Sequence, residues 1–178
     1  MYKLRKIVVG AVFISSLLQS SDTYLTDNQA LPDLKMKKSA LSFKLIEGYQ
    51  NYKIVASHYR TDKNEIRYIL ANPVAYNALK SGTLPLPDGS KVVKIGWSVK
   101  KMALFPSALE ADSIQRVEYM YKDSSRFNAN GDHWGYARFV KKGDKYVSWK
   151  GDTNICIACH SPASGNDYLF TKMQKTFK

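Results

Sequence analysis

Cys156-Ile157-Ala158-Cys159-His160 constrains this chain more than any other stretch. Two thiols three positions apart, followed at once by an imidazole, form the C-x-x-C-H pattern. At that spacing each thiol can add to a vinyl group of one haem, and the adjacent imidazole is placed to ligate its iron from the proximal side. The pattern has competing uses. A structural zinc site wants four ligands, and a redox dithiol sits early in a βαβ unit. With two cysteines and three histidines in the whole chain, a tetrahedral site is short of ligands, and the motif lies close to the C-terminus. Haem attachment fits best, with a disulfide or a partial metal site as the competitors. Since both cysteines fall in the motif, haem attachment leaves no disulfide, and a packed macrocycle supplies buried apolar surface in its place.

At 178 residues, 44% hydrophobic and 12% aromatic, the chain can build one globular domain with a real core but not two. Residues 1–21 carry Lys3, Arg5 and Lys6, then an apolar run from Ile7 to Leu18, then small polar residues. This is the pattern of a secretory signal, too short in its apolar part to span a bilayer easily. An uncleaved anchor is the other reading, and both put the folded part outside the cytoplasm. A periplasmic location is therefore expected, in keeping with a haem attached after export. Loss of those three basic residues would lower the formal charge of +12 by three, so the mature domain stays basic. Its basic residues are scattered singly and in pairs, which speaks against nucleic acid. An acidic redox partner, an anionic surface or simple solubility accounts for them.

Residues 22–40 show no clear periodicity and are expected as a flexible lead-in to a domain over 41–178. Leu41, Leu45, Ile46, Tyr49 and Tyr52 approximate a helical stripe, broken near Gly48, within 41–59. Asn64 to Leu70 reads as a strand. Asn72 caps a helix with Pro73 in its first turn and Gly82 at its stop. A turn over Leu84 to Gly89 leads into a strand from Ser90 to Lys100, with Val93, Ile95, Trp97 and Val99 in one phase. Ile114 to Tyr121 is another strand, and 134–140 and 146–149 form a hairpin turned by Lys142-Gly143-Asp144. Segregated strands with few helices predict an α+β domain, an antiparallel sheet with the motif helix after its last strand.

Glu65-Ile66-Arg67, Asn72-Pro73 with Tyr76, Asp88-Gly89 before a strand bearing Lys94, Lys122-Asp123-Ser124-Ser125-Arg126-Phe127, Trp134 and the C-x-x-C-H motif occur here in one order. Together they resemble the cytochrome P-460 family, exported mono-haem c-type cytochromes, over about residues 40 to 170. The resemblance implies a sheet-rich fold, a homodimer and a five-coordinate haem c whose open distal face binds small nitrogen species. It also implies a lysine bonded through its nitrogen to a meso carbon of the haem. Lys94 matches that lysine, and Arg67 matches the family's distal arginine. Lys91 lies nearby on the other strand face, with Val93, Ile95 and Trp97, whereas Lys94 shares its face with Val92 and Gly96. Periodicity does not say which face meets the haem.

By the resemblance, the reaction is oxidation of hydroxylamine to nitrous oxide, nitric oxide or nitrite, with a partner cytochrome as electron acceptor. Proton removal must accompany electron loss, so a distal base would help. Arg67 stays protonated and can only donate hydrogen bonds. Glu65 points the same way by strand alternation and can pair with it. Asp152, ahead of Cys156, is a candidate proton acceptor if its loop reaches the pocket, and otherwise a cap or turn residue. His58, His133, Met102 and Met120 are the candidates for a sixth ligand, each with a bland reading as surface or core. The alternatives are a gas-binding protein like the beta-type cytochrome c prime, which takes up nitric oxide or carbon monoxide without the cross-link, and an electron carrier with a closed iron.

Overall fold

The computed structural model describes residues 30–174, so the leader expected over 1–21 lies outside the described residues. One antiparallel sheet runs in the order β1 (Lys53–Arg60), β2 (Glu65–Ala71), β3 (Lys91–Lys101), β4 (Leu109–Lys122), β5 (Trp134–Lys142) and β6 (Lys145–Ser148). Every strand pairs with its neighbour in sequence, so the connections are local. Helices α1 (Pro73–Ser81) and α2 (Thr153–His160) complete an α+β fold.

α1 forms where its boundary residues dictate. The Asn72 side chain accepts the Ala75 N–H at 3.0 Å, Pro73 occupies the first turn, and Gly82 leaves the helix at φ 74°. The stretch expected as a broken helix is otherwise built. Phe43–Ile46 and Tyr49–Asn51 are two short 3-10 turns separated by Gly48 at φ 76°, and the chain then extends into β1. Ile54 and Val55, which lie in that stretch, are β-branched residues that favour the strand. β4 also begins earlier than expected, because Leu109 to Ala111 continue the ladder with Val99 to Lys101.

Alternation along the strands gives the sheet two different faces. One carries Leu70, Val93, Ile95, Val117 and Phe139, packed beneath Leu41, Phe43 and Ile46. Leu31 and Met36, from the stretch expected as a lead-in, are buried there too. Lys91 belongs to this side: its ammonium donates to the Leu45 carbonyl at 2.7 Å. The opposite face carries Ile69, Val92, Met120 and Tyr136 under α1 and α2.

That second face is ordered in cross-strand rows. Ala71, Val92, Met120 and Tyr136 form an apolar row, followed by Ile69, Lys94, Glu118 and Arg138, then by His58, Arg67, Gly96, Arg116 and Val140. The surface thus passes from apolar to charged across three successive rows.

Candidate functional site

α2 places the motif. Cys156, Cys159 and His160 fall at i, i+3 and i+4 and therefore share one helix face, and all three line a cavity of about 770 Å³ between α2 and the charged rows of the sheet. Lys94, Arg67, Arg116, Glu118 and Arg138 line it from the sheet side. The sheet face left open by strand periodicity is hence the one bearing Lys94.

His160 is held at its inner nitrogen. Nδ1 lies 2.7 Å from the Tyr168 carbonyl, which accepts its proton and leaves Nε2 as the free nitrogen. The ring sits between Tyr136 and Phe170, with centroids 5.2 and 4.9 Å away. Burial pushes the imidazole down from its ordinary pKa, against the Tyr168 contact, so the neutral ligating form is favoured. The Cys156 thiol is pushed up, chiefly by burial. Both cysteines are free thiols.

Opposite, two carboxylates serve four cations. Glu65, 3% exposed, takes Arg67 Nε at 2.5 Å and Arg116 at 2.6 Å. Glu118 lies 2.6 Å from Lys94 Nζ, 3.5 Å from Arg116 Nε and against Arg138, whose guanidinium stacks 4.4 Å from the Trp149 ring centre. Burial alone would raise the Glu118 carboxyl, but Lys94, Arg138 and Arg116 outweigh it and pull it down to about 2. Lys94 is pushed down, chiefly by burial and further by Arg67 and Arg116, against the pull of Glu118. The contacts at Glu118 are ion pairs off the hydrogen-bond line: Glu118 Oε2 and Arg138 Nε are buried without a hydrogen-bond partner among the described residues.

These features fit a c-type haem. Two thiols and a histidine stand on one wall, the histidine presents a free nitrogen, and the floor is apolar beside Val92, Ile69 and Met120. Four cations against two carboxylates leave the far wall net positive, which suits the two carboxylates that a haem carries. Among the described residues no group of three or more His, Cys, Asp or Glu side chains converges, so a zinc site has no ligand set there.

The other sequence candidates divide. Asp152 is not in the cavity: it caps α2, accepting the Asn154 N–H at 2.9 Å, and pairs with Lys38 at the surface. Its position at the N-terminus of the motif helix is the physical reason it serves as a cap. Met120 and the exposed His58 line the cavity, while Met102 and His133 do not. Gly96 does not open the sheet to a macrocycle, since a Cβ there would stand 3.0 Å from the Glu65 carboxyl carbon. The glycine makes room for that carboxylate.

Sequence reading missed Glu118, Arg116 and Arg138. The available signal was the even phase of β4, in which Arg116 and Glu118 lead to Met120, a charged stripe ending in an apolar residue.

The family model described as Cytochrome P460 matches residues 46–171 of the chain. A comparison with curated proteins finds no match.

Proposed function

The chain belongs to the cytochrome P460 family, and on that premise we propose that it is an exported haem c cytochrome that oxidises hydroxylamine at a lysine-modified haem. The observation that carries this is the placement of Lys94 on the wall facing Cys156, Cys159 and His160, within one cavity. Family membership makes the protein a haem cytochrome, and the side chains around that cavity direct its chemistry.

Cys156 and Cys159 would hold the group by thioether bonds, and His160 would offer Nε2 to its iron. When bound, the haem supplies a metal that takes electrons from a small nitrogen substrate. Arg67 donates hydrogen bonds to an oxygen or nitrogen atom in the cavity, at a fixed angle because Glu65 holds its Nε. Buried Lys94 is biased toward the neutral amine that bond formation to the haem requires. Protons leaving the substrate need an acceptor, and Glu118 is the carboxylate that lines the cavity. Its low pKa makes it a poor base while Lys94 is an ammonium. Conversion of Lys94 to an uncharged amine removes the largest cationic influence on Glu118 and moves it toward the proton-accepting range. Products are nitrous oxide, nitric oxide or nitrite. A periplasmic location, a homodimer and a cytochrome acceptor belong to the same proposal.

The gas-binding alternative draws on the Lys94–Glu118 ion pair itself. An ammonium cannot attack a meso carbon, and a protein that kept this pair would bind nitric oxide or carbon monoxide without turnover.

The test is to express the chain with haem maturation, record the ferrous visible spectrum, digest it and weigh the peptides. A red-shifted Soret band, haem mass on the Lys94 peptide as well as on the motif peptide, and hydroxylamine-dependent reduction of an acceptor support the enzyme. An ordinary high-spin c-type spectrum with free Lys94 and no turnover sinks it in favour of gas binding. A sharp low-spin spectrum indicates electron transfer.

A further inference from the structure

The haem cavity makes no use of Lys122, although this lysine is 5% exposed and lies on the same sheet face, at the end of β4. Its ammonium reaches Asp167 Oδ1 at 2.7 Å and the Asp132 carbonyl at 3.0 Å, and stands 4.9 Å from the Trp134 ring centre. Asp167 is 7% exposed, and its second oxygen accepts the Leu86 N–H at 2.8 Å. The Asp167 carbonyl accepts the Trp134 indole N–H at 3.1 Å. One aspartate is thereby tied to three segments remote from it in sequence.

Such an anchor has something to hold. Asp167 and Tyr168 both adopt left-handed backbone, φ 48° and 64°, and neither is glycine. Two consecutive L-residues in that region are strained and persist only where surrounding contacts over-determine them. The turn they make reverses the chain after α2 and aims the Tyr168 carbonyl at His160 Nδ1.

We propose that the Lys122–Asp167 ion pair is a positioning device for the proximal histidine, locking the strained 167–168 turn so that the Tyr168 carbonyl takes the Nδ1 proton of His160. A hydrogen bond at Nδ1 sets the ring's orientation and raises the basicity of Nε2, which favours ferric iron and lowers the reduction potential. A buried ion pair adds little net stability compared with an apolar pair of the same shape. Its directionality fixes a turn that apolar packing would not. The inference rests on the reading of His160 as the haem ligand.

The experiment compares haem-loaded wild type, Asp167→Asn, Asp167→Glu and Val117→Ala by melting, by reduction potential and by the iron–histidine stretch in resonance Raman of the ferrous protein. Val117 lies in the core of the other sheet face and controls for lost stability. Asp167→Asn retains covalent haem, shifts the stretch to lower frequency and raises the potential; Asp167→Glu recovers part of both. Val117→Ala lowers the melting temperature and moves neither. Unchanged stretch and potential in Asp167→Asn overturn the proposal while leaving the haem reading intact. Should Asp167→Asn not fold, Lys122→Arg, which keeps the charge but alters the donor geometry, is measured in its place, with the same shifts expected and their absence counting against the proposal. Wild type without haem on Cys156 and Cys159, or with haem lacking a histidine ligand, overturns both readings.

Discussion

Lys94 and Glu118 oppose each other directly in the β3–β4 ladder, with Nζ 2.6 Å from Oε2 on the face toward the cavity. The pair places two opposed influences on one nitrogen. Burial and the neighbouring Arg67 and Arg116 favour the neutral amine, and Glu118 favours the ammonium. Glu118→Gln removes the restraining partner. The carboxylate holds the Lys94 amine pKa up against burial, so without it the neutral fraction at neutral pH should rise. On the proposed reading, the expected result is faster formation of the Lys94–haem bond, followed by peptide mass in freshly matured protein. Slower formation in Glu118→Gln would show that Glu118 acts as the base instead.

Glu118 also makes stability depend on acid. Its folded pKa of about 2 lies below its ordinary 4.5, so its contribution is complete above the higher value and is lost as pH falls toward the lower. From about pH 5 to about pH 3 the loss is on the order of 2 kcal/mol. Denaturant unfolding of wild type against Glu118→Gln, run at both pH values, should show the gap between them narrowing by that amount. A gap constant across the range would mean that the carboxylate is not paired in solution.

Much of this architecture is legible in the sequence wherever local chemistry decides. Asn72, Pro73 and Gly82 bound α1, the alternating phases of β3 mark a strand, and the C-x-x-C-H spacing gives one reactive helix face. The less legible parts depend on what lies across the sheet. Charged residues at alternate positions in β4 look the same whether they face water or a cavity, so Arg116 and Glu118 do not stand out, and periodicity sets Lys91 and Lys94 on opposite faces without saying which face meets the cavity. Asp152 has the composition of both a cap and a catalytic acid, and only the position of Lys38 and the course of the loop separate the two.

Asn72 joins α1 to the sheet as well as capping it. Its Oδ1 accepts from Ala75 N and from Lys91 N, each at 3.0 Å, and its Nδ2 donates to the Gly89 carbonyl at 3.0 Å. Asn72→Ala loses the cap and leaves a strand N–H and a turn carbonyl without their partners. The expected cost is about 2 kcal/mol, at the upper end for N-caps. Asn72→Asp keeps the acceptor for both N–H groups but sets a carboxylate oxygen against the Gly89 carbonyl, so it should recover only part of the loss. Chemical denaturation of the three proteins checks the order.

Gly96 links backbone to site chemistry most directly. A Cβ at this position would stand 3.0 Å from the Glu65 carboxyl carbon and from Oε2. Glu65 is 3% exposed and holds both Arg67 and Arg116, so it cannot retreat without loosening the arginines. The backbone at Gly96 is not in the left-handed region, so alanine is tolerated by the strand itself. Gly96→Ala should therefore preserve the fold and the haem on Cys156 and Cys159, yet displace the Arg67 guanidinium by a fraction of an ångström to an ångström. Misplacement of a positioning group on that scale reduces turnover by roughly tenfold or more. On the proposed reading, hydroxylamine oxidation by Gly96→Ala, set beside Arg67→Ala, should fall part of the way toward the loss expected without the guanidinium. Wild-type turnover in Gly96→Ala together with a clear loss in Arg67→Ala would show that Arg67 acts without needing the Glu65 clamp.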